Sequence, residues 1–211
     1  VTGEAEAKAR KAVRHAAGLP GVSAVVATGC VASLFADELD ALGDNVRVEV
    51  LKDRVPAAVA AALGDAGMAP EPAAERSDAG GAVTPTGRMR PGIKVQDGCD
   101  NRCTYCIVWK ARGPARSLPL EDAVAAVRRA VADGAGEVVL TGINLGSYGH
   151  GGVSLADLCR RLLDETAGLH GPGEPPCRFR VGSIEPQDVT GDFIALLAEA
   201  DGRLCRHLHL P

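Results

Sequence analysis

Aromatic residues are scarce in this sequence. Phe, Trp and Tyr make up 3% of 211 residues, so any core has to be filled with Val, Leu and Ala rather than with rings. No apolar run approaches the roughly 18 residues that a spanning helix needs, and no charged stretch followed by an apolar one opens the chain. A membrane partner is therefore not expected. Bulk charge is missing too: 23 Lys+Arg against 27 Asp+Glu leave a net charge of −4, which excludes a polycation that holds nucleic acid by overall charge. Seven cysteines make an odd number, and three are too tightly clustered for a secreted disulfide framework, so a reduced, cytoplasmic protein is expected. There is no methionine at position 1, and the chain stops at the alternating "HLHLP"; both ends read as cut, and a fragment of a longer protein is expected.

What is present is ordinary for a globular chain, with 46% hydrophobic and 24% charged residues. Residues 4–17 place Ala5, Ala9, Ala12, Val13 and Ala16 on one side of a helix that Gly18 and Pro20 stop. "SAVVATGC" reads as a strand, Ser33 to Leu42 as a helix, "VRVEVL" as a strand and Pro56 to Leu63 as a helix. Together they predict a small, truncated α/β domain over residues 1–66. From Gly64 to Gly92, ten of 29 residues are Gly or Pro, so 67–92 is expected to be a linker. Strand and helix then alternate over 93–211: "IKVQDG", Leu120 to Asp133, "EVVLTG", a helix capped by Ser154 and Asp157, "RFRVGS", Asp192 to Ala200, and "RHLHLP". Such alternation predicts parallel strands joined by right-handed crossovers, in an open sheet or an unfinished barrel. Chemistry is expected at the carboxyl ends of the strands.

Cys99, Cys103 and Cys106 lie at one such end, spaced C-x3-C-x2-C. Thiolates favour zinc or iron–sulfur clusters. Zinc knuckles usually pair C-x2-C with a second pair further on, and a cluster that only carries electrons is usually ligated by four cysteines. Three close thiolates suit three irons of a cubane, leaving the fourth iron open to a ligand. A zinc-binding module and an electron carrier remain the readings from another class. Around this loop, between Thr86 and Ser117, stand Arg88, Arg90, Lys94, Arg102, Lys110, Arg112 and Arg116 against only Asp97 and Asp100. Such a cluster is either a solvated face or an attraction for phosphate.

With Tyr105 directly before the last cysteine, the loop resembles that of the radical S-adenosylmethionine (SAM) superfamily. "QDGCDNRCTYCIV", "VVLTGINLGSYG", "VGSIEP" and "HLHLP", in that order, resemble the methylthiotransferase family within it, most closely the branch acting on threonylcarbamoyladenosine in tRNA. The resemblance implies a partial (β/α) barrel in which Cys99, Cys103 and Cys106 hold a 4Fe-4S cluster whose open iron binds SAM. It implies that Thr141, Gly142, Asn144, Ser183 and Glu185 contact SAM. Cys30 matches the last of three ligands to a second 4Fe-4S cluster, whose other two would lie upstream of Val1. Implied partners are a tRNA anticodon stem-loop and a reductant such as flavodoxin or ferredoxin. The isopentenyladenosine branch and the branch acting on a ribosomal protein aspartate are the alternatives within the family. Trp109 stands where the family often has proline, and packing is expected of it ahead of stacking on a base. Cys159, Cys177 and Cys205 are expected to pack, His15 and His170 to lie on the surface, and His207 and His209 to share one side of a strand.

Overall fold

A computed structural model describes residues 2–65, 67, 90–173 and 175–211. Most of the expected linker, 68–89, lies outside the described residues. The chain forms two compact units, one of Val1–Arg76 with Asn101–Gly113, the other of Ser77–Asp100 with Pro114–Pro211. Among the described residues no helix is long and apolar enough to cross a membrane.

In the first unit, helix α1 (Gly3–Ala17) starts where the Thr2 hydroxyl accepts from the Ala5 N–H at 3.2 Å. Strand β1 (Val25–Ala27) pairs in parallel with β2 (Val46–Val48), Val25 opposite Val46. Between them the single helix expected over Ser33 to Leu42 is two, α2 (Cys30–Leu34) and α3 (Ala36–Asp40). The break falls at Phe35, whose backbone leaves the helical region at φ −138° and ψ 46° and whose ring lies 5.5 Å from the Arg10 guanidinium carbon. Arg10 in turn donates to Glu38 at 2.8 Å, so the ring and α3 are both held against α1. Helix α4 (Val55–Asp65) packs on β1, and α5 (Val108–Arg112) packs on α2. The small core is Ala27, Ala32 and Leu39 with Val13, Val31, Leu42 and Val48 against it, aliphatic as the composition requires.

The second unit is built on a parallel sheet in the order β3 (Gly92–Lys94), β6 (Glu137–Thr141), β9 (Arg178–Val181), with Ile93 opposite Leu140 and Leu140 opposite Val181. The first strand leaves this sheet after Val95. Its continuation β4 (Gln96–Asp97) pairs antiparallel with β5 (Arg116–Ser117). Helix α6 (Leu120–Ala132) buries Val124, Val127 and Val131, the stripe its 3.6-residue period predicts. A short antiparallel pair, β7 (Gly149–His150) and β8 (Val153–Ser154), leads into α7 (Leu155–Glu165). The capping box is present there: the Ser154 hydroxyl accepts from the Asp157 N–H at 3.2 Å while the Asp157 carboxylate accepts from the Ser154 N–H at 3.0 Å. Helix α8 (Gly191–Glu199) follows β9. This is α/β architecture with parallel strands, and no closed barrel occurs among the described residues.

The expected fourth strand is reduced to two bridges, Phe179 with Leu204 and Ser183 with His209. Between them the His207 N–H turns back to the Cys205 carbonyl at 2.7 Å, which removes it from the ladder. The expected packing cysteines are buried: Cys159 on α7, where burial pushes the thiol up to about 12, and Cys177 and Cys205, where burial also raises the thiols.

At the amino end of β6 sits Glu137, only 6% exposed, with the Arg180 Nε donating to Oε1 at 2.7 Å and Arg90 at 3.5 Å. The Arg180 hydrogen bond, opposed by burial, holds this carboxyl below its ordinary range. A depressed folded-state value means that the stabilisation is complete above the unfolded pKa of about 4.3 and is lost as pH falls through the folded value. E137Q is expected to cost about 2 kcal/mol in urea unfolding at pH 7, the lower side of a broken buried pair because Arg180 is partly solvated. The gap between wild type and variant should narrow below about pH 4. A gap that stays constant across that window would show that the carboxylate charge is not what stabilises.

Candidate functional site

The carboxyl ends of β3 and β6 are joined through one side chain. Gln96 is 1% exposed, and both halves of its amide are engaged. Oε1 accepts from the Ile143 N–H at 2.9 Å and the Asn144 N–H at 3.0 Å, while Nε2 donates to the carbonyls of Asp97 at 3.1 Å and Gly98 at 2.8 Å. Two donors and two acceptors are all that a glutamine side chain has. The result ties the loop after β6 to the residue immediately before Cys99.

The loop after β6 is itself closely packed. A methyl group on Gly142 would stand 2.9 Å from both Gln96 Oε1 and Leu145 Cδ2, and one on Gly146 would stand 2.1 Å from Asp188 Cβ. Asn144 is buried; its Nδ2 donates to Asp188 Oδ2 at 2.8 Å and its Oδ1 accepts from the Gly146 N–H at 3.1 Å. Thr141 is half-buried and gives its carbonyl to the Val95 N–H at 3.0 Å. Ser183, half-buried past the end of β9, accepts from the Leu145 N–H through its carbonyl at 3.3 Å and meets His209 Nδ1 with its hydroxyl at 2.8 Å. Glu185 is half-buried ahead of a single 3-10 turn, Pro186–Asp188. Thr141, Gly142, Asn144, Ser183 and Glu185 thus gather at one end of the sheet, where the parallel topology puts a ligand site. Gln96 and Asp188 were not anticipated as members of that group. The signal for Gln96 was an amide directly behind the buried Val95 and ahead of an Asp-Gly turn; Asp188 gave none.

Cys99, Cys103 and Cys106 are free thiols, each half-buried. Left-handed backbone at Gly98 (φ 74°) and Arg102 (φ 49°) bends the loop around them, and the Cys106 N–H donates to the Cys103 carbonyl at 3.0 Å. Asp100 Oδ1 accepts from the Ala115 N–H at 3.3 Å, closing the loop's base. Among the described residues no three His, Cys, Asp or Glu side chains are gathered as the ligands of a single metal ion. A cluster that offers each thiolate its own iron asks for unpaired thiols strung along one loop, and that donor set is present. Cys30 begins α2 behind Gly29 (φ 98°), on the helix that packs against α5, the helix two residues past Cys106.

The basic cluster divides. Lys94 and Arg116 pair with Asp97, at 2.9 and 3.9 Å, and Arg90 with Glu137. Arg102 and Lys110 instead lie over the Trp109 ring, 5.3 and 5.1 Å from its centroid. Arg88 lies outside the described residues. His15, His170, His207 and His209 are exposed.

Residues 93–211 match the sequence profile of the Radical SAM superfamily. A "putative methylthiotransferase" from Helicobacter pylori is 41% identical over 125 residues, covering 59% of this chain and 28% of its own length. A "threonylcarbamoyladenosine tRNA methylthiotransferase" from Thermotoga maritima is 41% identical over 125 residues, with coverage of 58% and 27%. A "tRNA-2-methylthio-N(6)-dimethylallyladenosine synthase" from Geobacter sulfurreducens is 41% identical over 122 residues, with coverage of 56% and 25%. The chain therefore spans about a quarter of the length of the curated relatives it matches.

Removing the Gln96 amide strands two N–H groups and two carbonyls in a buried place. Q96A is expected to lower stability by about 3 kcal/mol, as several unsatisfied polar groups would. G142A should cost about 2 kcal/mol through overpacking, because neither Gln96 nor Leu145 can retreat without breaking contacts. Urea denaturation checks both, and a change under about 0.5 kcal/mol for Q96A, the range of an ordinary surface substitution, would remove the amide from its proposed structural role.

Proposed function

The chain belongs to the Radical SAM superfamily, and from that premise we propose that it is the cluster-bearing part of a tRNA methylthiotransferase. The proposed division is an N-terminal methylthiotransferase section over 1–66, a linker over 67–92 and an incomplete radical SAM domain over 93–211. Cys99, Cys103 and Cys106 would hold the superfamily's 4Fe-4S cluster, and the observation that supports this most directly is three free, half-buried thiols on a loop anchored by Gln96 to the neighbouring strand end. When bound, cluster and SAM together supply the radical that removes hydrogen from the substrate carbon. The protein's own contribution is placement and exclusion of water.

The residues divide that work. Gln96 keeps Gly98, directly before Cys99, in register with Ile143 and Asn144 at the end of β6. Thr141, Gly142, Asn144, Ser183 and Glu185 are the proposed SAM contacts. The hydrogen bond between Ser183 and His209 fixes the serine hydroxyl, whereas the Asn144 side chain is engaged by Asp188 and Gly146 and its carbonyl by Ser147, so Asn144 shapes this end of the sheet. Cys30 would be one ligand of a second cluster completed in the full-length protein.

The proposed reaction is methylthiolation at C2 of threonylcarbamoyladenosine beside the tRNA anticodon, with flavodoxin or ferredoxin as reductant, in the cytoplasm. What supports this branch is the form of the "LTGI" and "SIEP" blocks together with the Thermotoga maritima relative named for that substrate. The isopentenyladenosine branch has a relative of equal identity, so nucleoside composition has to decide between them.

Anaerobic reconstitution of the full-length protein with iron and sulfide is expected to give cluster absorption that changes on adding SAM, and C99A, C103A or C106A should each abolish that response. Uptake of zinc in place of iron would sink the assignment. Nucleosides from a strain lacking the full-length gene should lose the 2-methylthio form of threonylcarbamoyladenosine and regain it on complementation; loss of the isopentenyl form instead would reassign the substrate.

A further inference from the structure

Trp109 is the chain's single tryptophan, and it stands three residues past Cys106 on α5. It is half-buried, with one part of the indole left to solvent. The left-handed turn at Arg102 brings that guanidinium to 5.3 Å from the ring centroid, and Lys110 lies at 5.1 Å. Both cations are exposed, as is Tyr105, at 89%. A partly solvated indole with an exposed guanidinium and an exposed ammonium lying over it combines the two features that unpaired nucleic acid requires: a π system for a base and positive charge for the phosphate beside it. A guanidinium over an indole can itself take a base on its exposed side. In contrast, Lys94, Arg116 and Arg90 are each engaged by a carboxylate.

We propose that Arg102, Trp109 and Lys110 form a seat for an unpaired nucleobase and adjacent phosphate of the RNA substrate, beside the cysteine loop. The proposal rests on the tRNA reading above and adds the residues that hold a flanking base. Trp109 supplies sequence-tolerant stacking, while Arg102 and Lys110 supply the salt-dependent part of the affinity.

The test uses the full-length reconstituted protein and a labelled anticodon stem-loop RNA, with Kd followed by anisotropy at several salt concentrations. W109A is expected to weaken binding about tenfold with an unchanged salt slope, in line with loss of one stacked base. W109F should stay within about threefold of wild type because a ring remains. R102Q and K110Q should each lower affinity and flatten the salt slope by about 0.7, the share of one single-strand phosphate. SAM affinity and cluster absorbance should be unchanged in all four. W109A binding RNA as tightly as wild type would overturn the seat while leaving the tRNA reading standing. RNA affinity that falls only in step with cluster absorbance, or SAM affinity that falls with it, would also overturn the seat and assign the indole to packing. Wild-type protein that fails to bind the stem-loop would instead overturn the tRNA reading itself.

Discussion

The four hydrogen bonds of Gln96 are the constraint on which the rest of the site depends. A parallel sheet delivers strand ends to one edge, but it does not by itself fix the loops that leave them. Here the first strand departs from the sheet after Val95, one residue before Gln96, and the amide then bridges back to Ile143 and Asn144. Because the amide is buried and saturated, neither loop can shift without exposing an unmet donor or acceptor. Gly142 follows from the same contact: the space a side chain would need is already taken by Gln96 and Leu145.

The regular parts of this fold were legible because burial alone dictates them. The valine stripe of α6, the capping box of α7 and the apolar runs at β6 and β9 need only a periodicity and a cap, and each lies where those signals put it. The irregular parts depend on contacts between residues far apart in the chain. Nothing near Phe35 announces that Arg10, 25 positions earlier, will hold its ring and split a helix there. Alternation in "RHLHLP" is a sound strand signal, yet a turn between His207 and Cys205 interrupts the ladder, and only two bridges remain.

The candidate site was legible to a similar degree. Cysteine spacing is a covalent property of the chain, so the loop could be read directly. The loop after β6 could be read only as a motif, and its physical reason, a buried amide reached from 47 positions away, needed the structure. Charge shows the same limit. Seven cations in a row of 32 residues looked like one basic face, whereas three of them meet carboxylates and two converge on an indole.

The inaccessibility of Cys159, Cys177 and Cys205 reaches beyond packing. A buried thiol whose ionisation is pushed upward is a poor nucleophile and a poor partner for soft metals at neutral pH. The seven sulfurs therefore sort themselves into a silent set of three inside the second unit and a partly solvated set of four at Cys30, Cys99, Cys103 and Cys106. A native-state alkylation count then carries its own blank, so that occupancy of the loop by iron can be titrated as the shortfall from four.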